Sequence, residues 1–133
     1  TENEKNLEEK IMDDCIFCKI VANEIPSTTV FENERIRVFK DIHPAAPVHL
    51  LIIPKKHIPT LSHCNDSDAA LLGEMMALVP KLAKEQGIAV TGAEGSPAGG
   101  FRIIVNTGPD GKQDVYHMHI HLMGGPRPWK IPH

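Results

Sequence analysis

The sequence has few of the features that place a protein at a membrane or on nucleic acid. It lacks any apolar run close to the roughly 18 residues that a membrane-spanning helix needs. Its net charge of −3 provides no electrostatic attraction to nucleic acid or to anionic lipid. The polar, acidic residues 1–14 do not resemble a secretory signal. We therefore expect no membrane and no nucleic acid as partner, and a cytoplasmic location.

Cysteine is also scarce, with three residues in a chain of 133. Two of them, Cys15 and Cys18, form a C-x-x-C pair. An odd number with such a pair fits free thiols or a metal site in a reducing compartment better than disulfides. Length and composition predict one domain at residues 12–133, of which 124–133 form a C-terminal tail. We expect residues 1–11 to be a disordered tail or an expression remnant.

Five segments have the β-branched or alternating patterns that are typical of strands. They lie at residues 28–31, 35–39, 48–53, 101–106 and 115–123. Because turns rather than helices join most of them, the pattern predicts an antiparallel sheet in an α+β fold.

Two segments predict helices. Residues 15–23 suit a short N-terminal helix. Apolar residues at helical spacing predict a long one, with Asn65 or Ser67 as its N-cap and Gly87 at its end. Pro80 should kink or break that helix. The small, Gly-rich residues 89–100 predict a mobile surface loop.

Three histidines alternate with apolar residues near the C-terminus. Strand side chains alternate between faces, so His117, His119 and His121 should share one face at spacings of ~7 Å. The residues between them should anchor the opposite face in the core: Tyr116, Met118, Ile120 and Leu122. Three imidazoles on one buried face are costly without partners, which disfavours a purely structural role.

Two chemical roles remain open for this face. A metal could use a pair of these histidines, but a strand spreads all three over ~13 Å, too far for one ion with ligands at ~2 Å. Alternatively, one imidazole attacks phosphorus while its neighbours donate hydrogen bonds to phosphate oxygens. With an unperturbed pKa of ~6.5, imidazole is largely neutral at pH 7 and needs no strong base for this attack.

The segment resembles the signature of the histidine-triad family. The alternating histidines are preceded by Asn106, Gly111, Gln113 and Val115 and followed by Gly124. Further motifs of the family fall in its order at residues 15–20, 24–26, 41–42, 46–49 and 52–58. Residues 124–129 are similar to the Hint-type branch, whose members hydrolyse purine nucleoside phosphoramidates. The resemblance implies the α+β fold of this family, with the sheets of two protomers joined across a homodimer.

The resemblance implies a role for each matching residue. His119 would be the nucleophile that forms a nucleotidyl-histidine, within a triad that begins at His117. His121, His49 and Asn106 would hydrogen-bond the phosphate, and Gln113 would lie beside the phosphate or leaving group. Asp41 would accept hydrogen bonds from the ribose. An apolar slot would take the purine, formed by Ile16, Phe17, Ile20, Phe39 and Ile42.

Two positions carry more specific expectations. Asp114 stands where the branch often has serine, so it would replace a hydrogen-bond donor by a charge that attracts cationic leaving groups. Strand alternation would place Asp114 on the face opposite His119, unless the strand begins late. Trp129 lies in a Pro-rich tail with no evident local partner, and the resemblance implies that this tail reaches the site of the other protomer.

The expected activity is hydrolysis of purine nucleoside 5′-phosphoramidates, and of aminoacyl or lysyl adenylates, on AMP or GMP moieties. Hydrolysis of dinucleoside polyphosphates and a nucleotide-binding interaction protein with incidental turnover are the competing hypotheses. No cofactor is expected to be required for catalysis. The resemblance also implies a structural zinc site at Cys15, Cys18, His57 and His117, for which a pair of buried thiols is the competing interpretation.

Overall fold

The computed structural model describes residues 14–130, and its centre is a five-stranded antiparallel sheet. The strands are β1 (Thr29–Glu32), β2 (Ile36–Lys40), β3 (Val48–Pro54), β6 (Phe101–Ile104) and β7 (Ile120–Gly124), in the order β1-β2-β3-β7-β6. A two-stranded hairpin consists of β4 (Thr91–Ala93) and β5 (Ser96–Ala98). The helices are α1 (Ile16–Val21) and α2 (Ala69–Glu85), with 3-10 turns at Leu61–His63 and Asp66–Asp68.

Each face of the sheet is covered by one helix. Alternate side chains of β3 divide between the faces, with Leu50 and Ile52 toward α2 and Leu51 and Ile53 toward α1. The α2-side core also contains Ile36, Val38, Met75, Leu82, Ile120 and Leu122. The smaller α1-side core contains Cys15, Phe17, Cys18, Ile20 and Phe39. The predicted α+β fold, with its five-stranded sheet, long helix and short N-terminal helix, is confirmed.

The long helix begins close to its predicted cap. The Asn65 side chain accepts a hydrogen bond from the Ser67 backbone N–H at 2.9 Å, and Asp68 accepts one from the Asn65 N–H at 3.0 Å. This capping box leads through a 3-10 turn into α2. The helix continues through Pro80 without the predicted break. Pro80 has no N–H for the carbonyl of Met76, and Met76 is on the exposed side of the helix, away from the core.

Residues 89–100 differ from the prediction, because they contain the β4–β5 hairpin instead of an irregular loop. A Cβ on Gly92 would lie 2.6 Å from the Ser96 carbonyl oxygen, and one on Gly99 would lie 2.6 Å from that of Ala89. Both glycines have φ above +70°. The small residues therefore permit close backbone approach.

Part of the expectations about the ends of the chain falls on residues that the structure does not describe. The predicted tail at 1–11 lies outside the described residues, as do residues 12–13 and 131–133. Neither helix in the described part of the chain is long and apolar enough to cross a membrane.

Candidate active site

The histidine segment is only partly a strand. Strand β7 begins at Ile120, five residues later than predicted. Its ladder with β3 begins at the Ile52–Ile120 pair, near Pro54 at the end of β3, which has no N–H to donate. The alternation nevertheless continues, because Met118 is in the α2-side core while His117 and His119 contact Phe17 on the other face. Tyr116 is 45% exposed and does not anchor the core as expected.

A cleft of about 210 Å³ opens on the α1 side of the sheet. One part of its lining is apolar and formed by α1 and β2, and another contains His119 and His121. It includes nine of the predicted site residues: Ile16, Phe17, Ile20, Phe39, Asp41, Ile42, Asp114, His119 and His121. Several lining residues were not predicted: Ile25, Pro26, Ser27, Lys40, His43, Leu51 and Val115. Ile25 and Pro26 belong to the 24–26 motif, which could have indicated them.

His119 is 2% exposed and is fixed by the backbone. Its Nδ1 lies 2.8 Å from the carbonyl oxygen of His117. A carbonyl only accepts hydrogen bonds, so Nδ1 carries a proton, and in the neutral ring the lone pair is on Nε2. Phe17 packs edge-on against the ring at 5.1 Å. These contacts leave Nε2 as the reactive atom of the ring.

His49 and His121 form a directed pair. The Ala45 backbone N–H donates to His49 Nδ1 at 3.0 Å, so the proton of the neutral His49 is on Nε2. His49 Nε2 lies 2.9 Å from His121 Nδ1 and donates to it. The neutral His121 then carries its proton on Nε2. The main chain at Ala45 thus makes His121 a hydrogen-bond donor through its remaining nitrogen.

Burial keeps these two imidazoles neutral. Desolvation lowers the pKa of His121 to about 4, helped by the neighbouring His119 and His49. Desolvation also lowers the pKa of His49, against the opposing effect of Asp41. Both rings are therefore neutral near pH 7. A neutral imidazole N–H can donate a hydrogen bond without the cost of a positive charge in a buried site.

Asp41 follows β2 directly and lines the same cleft. Its Oδ1 accepts a hydrogen bond from the His43 N–H at 2.8 Å, which fixes the carboxylate. Its Oδ2 lies 3.5 Å from His49 Nε2. Its side chain is 19% exposed, so a ligand can still reach it.

Asp114 contacts His119 despite the predicted alternation. Its Oδ1 is 3.6 Å from His119 Nε2. The late start of β7 leaves residues 113–116 in an irregular turn, and this turn brings Asp114 to the histidine face. The structure therefore has the late strand start that this contact requires.

Five of the predicted catalytic and nucleotide-binding residues do not line this cleft. His49 lies behind His121, as described above. Gln113 is buried and uses its amide on Gly108 N, Pro59 O and Val115 O at 2.9, 2.7 and 2.9 Å. Asn106 donates to the Gly111 carbonyl at 2.8 Å. Both amides thereby hold the turn that precedes Asp114. The remaining two are His117 and Trp129.

Trp129 has local partners, contrary to the expectation. Its Nε1 donates to the Gly125 carbonyl at 2.9 Å. The Arg127 guanidinium lies 4.2 Å from the ring centre, and that of Arg102 lies 5.7 Å from it. The ring is therefore packed against its own chain.

His117 belongs to a second cluster with Cys15, Cys18 and His57. Cys15 Sγ and Cys18 Sγ lie 3.4 and 3.6 Å from His117 Nδ1, and Cys18 Sγ lies 3.2 Å from His57 Nδ1. A tetrahedral zinc site with Zn–S of about 2.3 Å and Zn–N of about 2.0 Å separates its ligand atoms by roughly 3.3–3.8 Å. The cluster therefore has nearly the dimensions of such a site.

The protonation of the cluster also suits a metal. His117 Nε2 lies 2.7 Å from the Pro54 carbonyl, so the proton is on Nε2 and Nδ1 presents its lone pair. Burial lowers the pKa of His117 to about 4 and that of His57 as well, which keeps both rings neutral. Without metal, burial and the neighbouring Cys15 raise the pKa of Cys18 to about 12. A bound cation would replace that proton.

Comparison with known proteins identifies the family. A family model described as "Scavenger mRNA decapping enzyme C-term binding" matches residues 14–130. Protein HitA of Neisseria gonorrhoeae is 50% identical over 115 residues, covering 86% of this chain and 99% of HitA. A crystal structure of a HIT family hydrolase from Legionella pneumophila is 46% identical with a TM-score of 0.76, covering 86% of this chain and 95% of that one. The chain belongs to the histidine-triad family.

Two further members of the histidine-triad family bear on the chemistry. Adenylylsulfatase HINT1 of Arabidopsis thaliana is 43% identical over 112 residues, which cover 83% of this chain and 70% of that protein. A Zn-bound histidine-triad family protein from Mycobacterium smegmatis is 27% identical with a TM-score of 0.69, covering 85% of this chain and 76% of that one.

We expect the four-residue cluster to bind one zinc ion per chain. Cys18→Ser should lose the metal and lower the melting temperature, because a buried thiolate ligand is replaced by a weaker oxygen donor. Cys64→Ser is the matched control, since Cys64 lies outside the cluster, and it should retain the metal. Elemental analysis of protein purified without chelator provides the measurement. Equal metal contents well below one per chain in all three proteins would contradict the site.

Proposed function

We propose that the protein hydrolyses purine nucleoside 5′-phosphoramidates through a nucleotidyl-histidine intermediate. The observation that carries the proposal is the state of His119, whose Nδ1 is committed to the His117 carbonyl while Nε2 lies at the cleft. A neutral, oriented imidazole needs no activating base to attack phosphorus. The family membership and its hydrolase neighbours support the same reaction class.

The reaction has two displacements. His119 Nε2 bonds to the α-phosphorus, the P–N bond breaks, and the amine leaves with a proton taken from solvent. Water then attacks the same phosphorus and loses a proton to solvent, the P–Nε2 bond breaks, and the nucleoside monophosphate and free histidine are formed. While the phosphorus is bonded to Nε2, the ring is cationic, and the carbonyl that accepts from Nδ1 stabilises that charge.

His121 and His49 would stabilise the phosphate in the transition state. The Ala45–His49–His121 chain fixes the proton of His121 on Nε2, from which it would donate to a phosphate oxygen. A donor already oriented by the main chain does not need to reorganise as charge develops. No metal or cofactor enters this scheme, and the zinc cluster would stabilise the fold that positions His119.

The nucleoside would occupy the remainder of the cleft. Phe17, Phe39 and Leu51 offer an apolar surface for a purine, and Asp41 offers a carboxylate for ribose hydroxyls. Recognition by stacking without contacts to the base edge should accept both adenine and guanine.

A second candidate substrate follows from one relative. The Arabidopsis relative is named adenylylsulfatase, which indicates a sulfate leaving group on the same nucleotidyl moiety. Hydrolysis of dinucleoside polyphosphates is a third candidate, and nucleotide binding with incidental turnover is a fourth. Turnover of adenosine phosphoramidate, adenylyl sulfate and diadenosine polyphosphate by one protein preparation would rank these candidates.

We expect His119→Ala to lower kcat on a fluorogenic adenosine phosphoramidate more than 100-fold, a barrier increase above ~2.7 kcal/mol. AMP binding should stay measurable by calorimetry, because the donors and the apolar surface remain. His63→Ala, an exposed histidine outside the cleft, serves as the control. Retention of more than about a hundredth of the wild-type kcat would exclude His119 as the nucleophile.

Asp41 should discriminate ribose from sugars without hydroxyl groups. We expect wild type to bind AMP at least about tenfold more tightly than 2′,3′-dideoxy-AMP, the value of one hydrogen bond to a charged group at the lower end of its usual range. Asp41→Ala should remove this difference, whereas the exposed Asp110→Ala should not. If the ratio of the two dissociation constants is the same in wild type and Asp41→Ala, Asp41 does not contact the ribose.

We also propose a homodimer, in which the C-terminal tail with Trp129 lies near the site of the partner protomer. The β6 edge of the sheet has no strand beside it in the described chain, so it is available for sheet pairing. Sedimentation should give about twice the chain mass of 14.7 kDa at micromolar concentration. A single species at the chain mass would contradict the dimer.

A further inference from the structure

We propose that Asp114 selects substrates by the charge on the reacting phosphate. It favours a phosphate with one negative charge and a second substituent, and it disfavours the terminal dianion of the released monophosphate. The proposal rests on the proposed function in one respect, that the phosphorus approaches His119 Nε2.

The position of Asp114 is fixed by the chain around it. Its Oδ1 accepts a hydrogen bond from the Val115 N–H at 2.8 Å and lies 3.6 Å from His119 Nε2. The preceding Gln113 is held by its three hydrogen bonds to Gly108, Pro59 and Val115. The carboxylate is therefore a built feature of the cleft and not a freely rotating surface charge, although 77% of the side chain is exposed.

Geometry limits how far a substrate phosphate can be from this charge. A phosphorus ready for attack lies about 3–3.5 Å from the nucleophilic nitrogen. With Oδ1 at 3.6 Å from the same nitrogen, the phosphorus lies no more than about 7 Å from Oδ1. Any charge on the phosphate oxygens is consequently close to the Asp114 carboxylate.

Little positive charge offsets that carboxylate in the cleft. Of the residues that line it in the described chain, Lys40 is the single lysine or arginine, whereas Asp41 and Asp114 are both acidic. Burial keeps His121, which would donate to the phosphate, and His49 behind it neutral. The site thus offers hydrogen bonds to a phosphate without the positive charge that a dianion requires.

Substrate and product differ by one charge at this phosphate. A phosphoramidate or phosphate diester has one ionised oxygen, whereas a phosphate monoester has a second pKa near 6 and is a dianion at pH 8. A unit charge at about 7 Å and an effective dielectric near 20 corresponds to roughly a 50-fold change in affinity. Exposure of Asp114 reduces this to about fivefold. The charge would weaken binding of the product and speed its release.

The same geometry bears on the leaving group. In-line displacement requires the bond that breaks to point away from the attacking nitrogen. Asp114 lies beside that nitrogen, so its path to the phosphate oxygens is shorter than its path to the departing amine. The expected preference for cationic leaving groups stays a prediction, and we expect the effect on phosphate charge to be larger.

The experiment measures binding of AMP and of its methyl phosphate ester, in which one phosphate oxygen carries a methyl group, at pH 8 and low salt by calorimetry. The two ligands share the nucleoside and differ by one charge. The ratio of their dissociation constants, AMP over ester, should fall about fivefold in Asp114→Asn, because AMP with two phosphate charges gains more affinity than the ester with one. Glu94→Gln, which removes one exposed charge in the β4–β5 turn, should leave the ratio unchanged.

Each outcome separates this proposal from the proposed function. An unchanged ratio in Asp114→Asn overturns the charge selection, whether or not both affinities shift together through altered packing. An equal fall in Glu94→Gln also overturns it, since the cause is then net charge. Failure of wild type to hydrolyse any phosphoramidate, with the ratio changed as expected, would reject the proposed reaction and keep the role of Asp114.

Discussion

The pairing of β7 with β3 is the contact on which both the core and the cleft depend. Leu50 faces Leu122 across this ladder and Ile52 faces Ile120, and these four side chains are almost fully buried beneath α2. Their burial, at about 25 cal/mol per Å² of apolar surface, holds β7 in a single register. A slip of one residue would move the histidines into the α2-side core and the leucine and isoleucine into the cleft. The apolar face therefore fixes where the polar face points.

Backbone groups then give each imidazole a defined protonation state. The carbonyls of Pro54 and His117 accept from His117 Nε2 and His119 Nδ1 respectively. The Ala45 N–H donates to His49 instead, which reverses the order of donor and acceptor along the His49–His121 pair. Neighbouring histidines on one face thus present a lone pair to Cys15 and Cys18, a lone pair to the cleft and an N–H to the cleft. Burial lowers the pKa of His117 and His121 to about 4, which keeps these two rings neutral at neutral pH.

Sequence reasoning predicted the fold class, and it placed the apolar slot, Asp41, His119 and His121 in one cleft through the family resemblance. Periodicity alone overextended β7, because alternating side chains continue past Ile120 while the backbone pairing with β3 does not, and the Met118 N–H donates to the Ile58 carbonyl instead. The sequence could not show that the Gln113 and Asn106 amides bond to the backbone, because the residue type is the same whether an amide binds substrate or the main chain. The sequence also did not reveal the β4–β5 hairpin, because its small residues permit close backbone approach but show no alternation of apolar side chains.

His117 connects the cluster to the cleft, because its side chain belongs to the cluster and its carbonyl accepts a hydrogen bond from His119. His117 is bound at Nε2 by Pro54 O and faces the two thiols with Nδ1, so a metal there would restrain the ring and its main chain. The carbonyl of that same residue holds His119 Nδ1 at 2.8 Å. Loss of a metal bound there would loosen the carbonyl and with it the direction of His119 Nε2. A reactive group must be held within about 0.5 Å of its productive position. The cluster would therefore affect turnover by orienting His119. Turnover would change only after the fold itself begins to loosen.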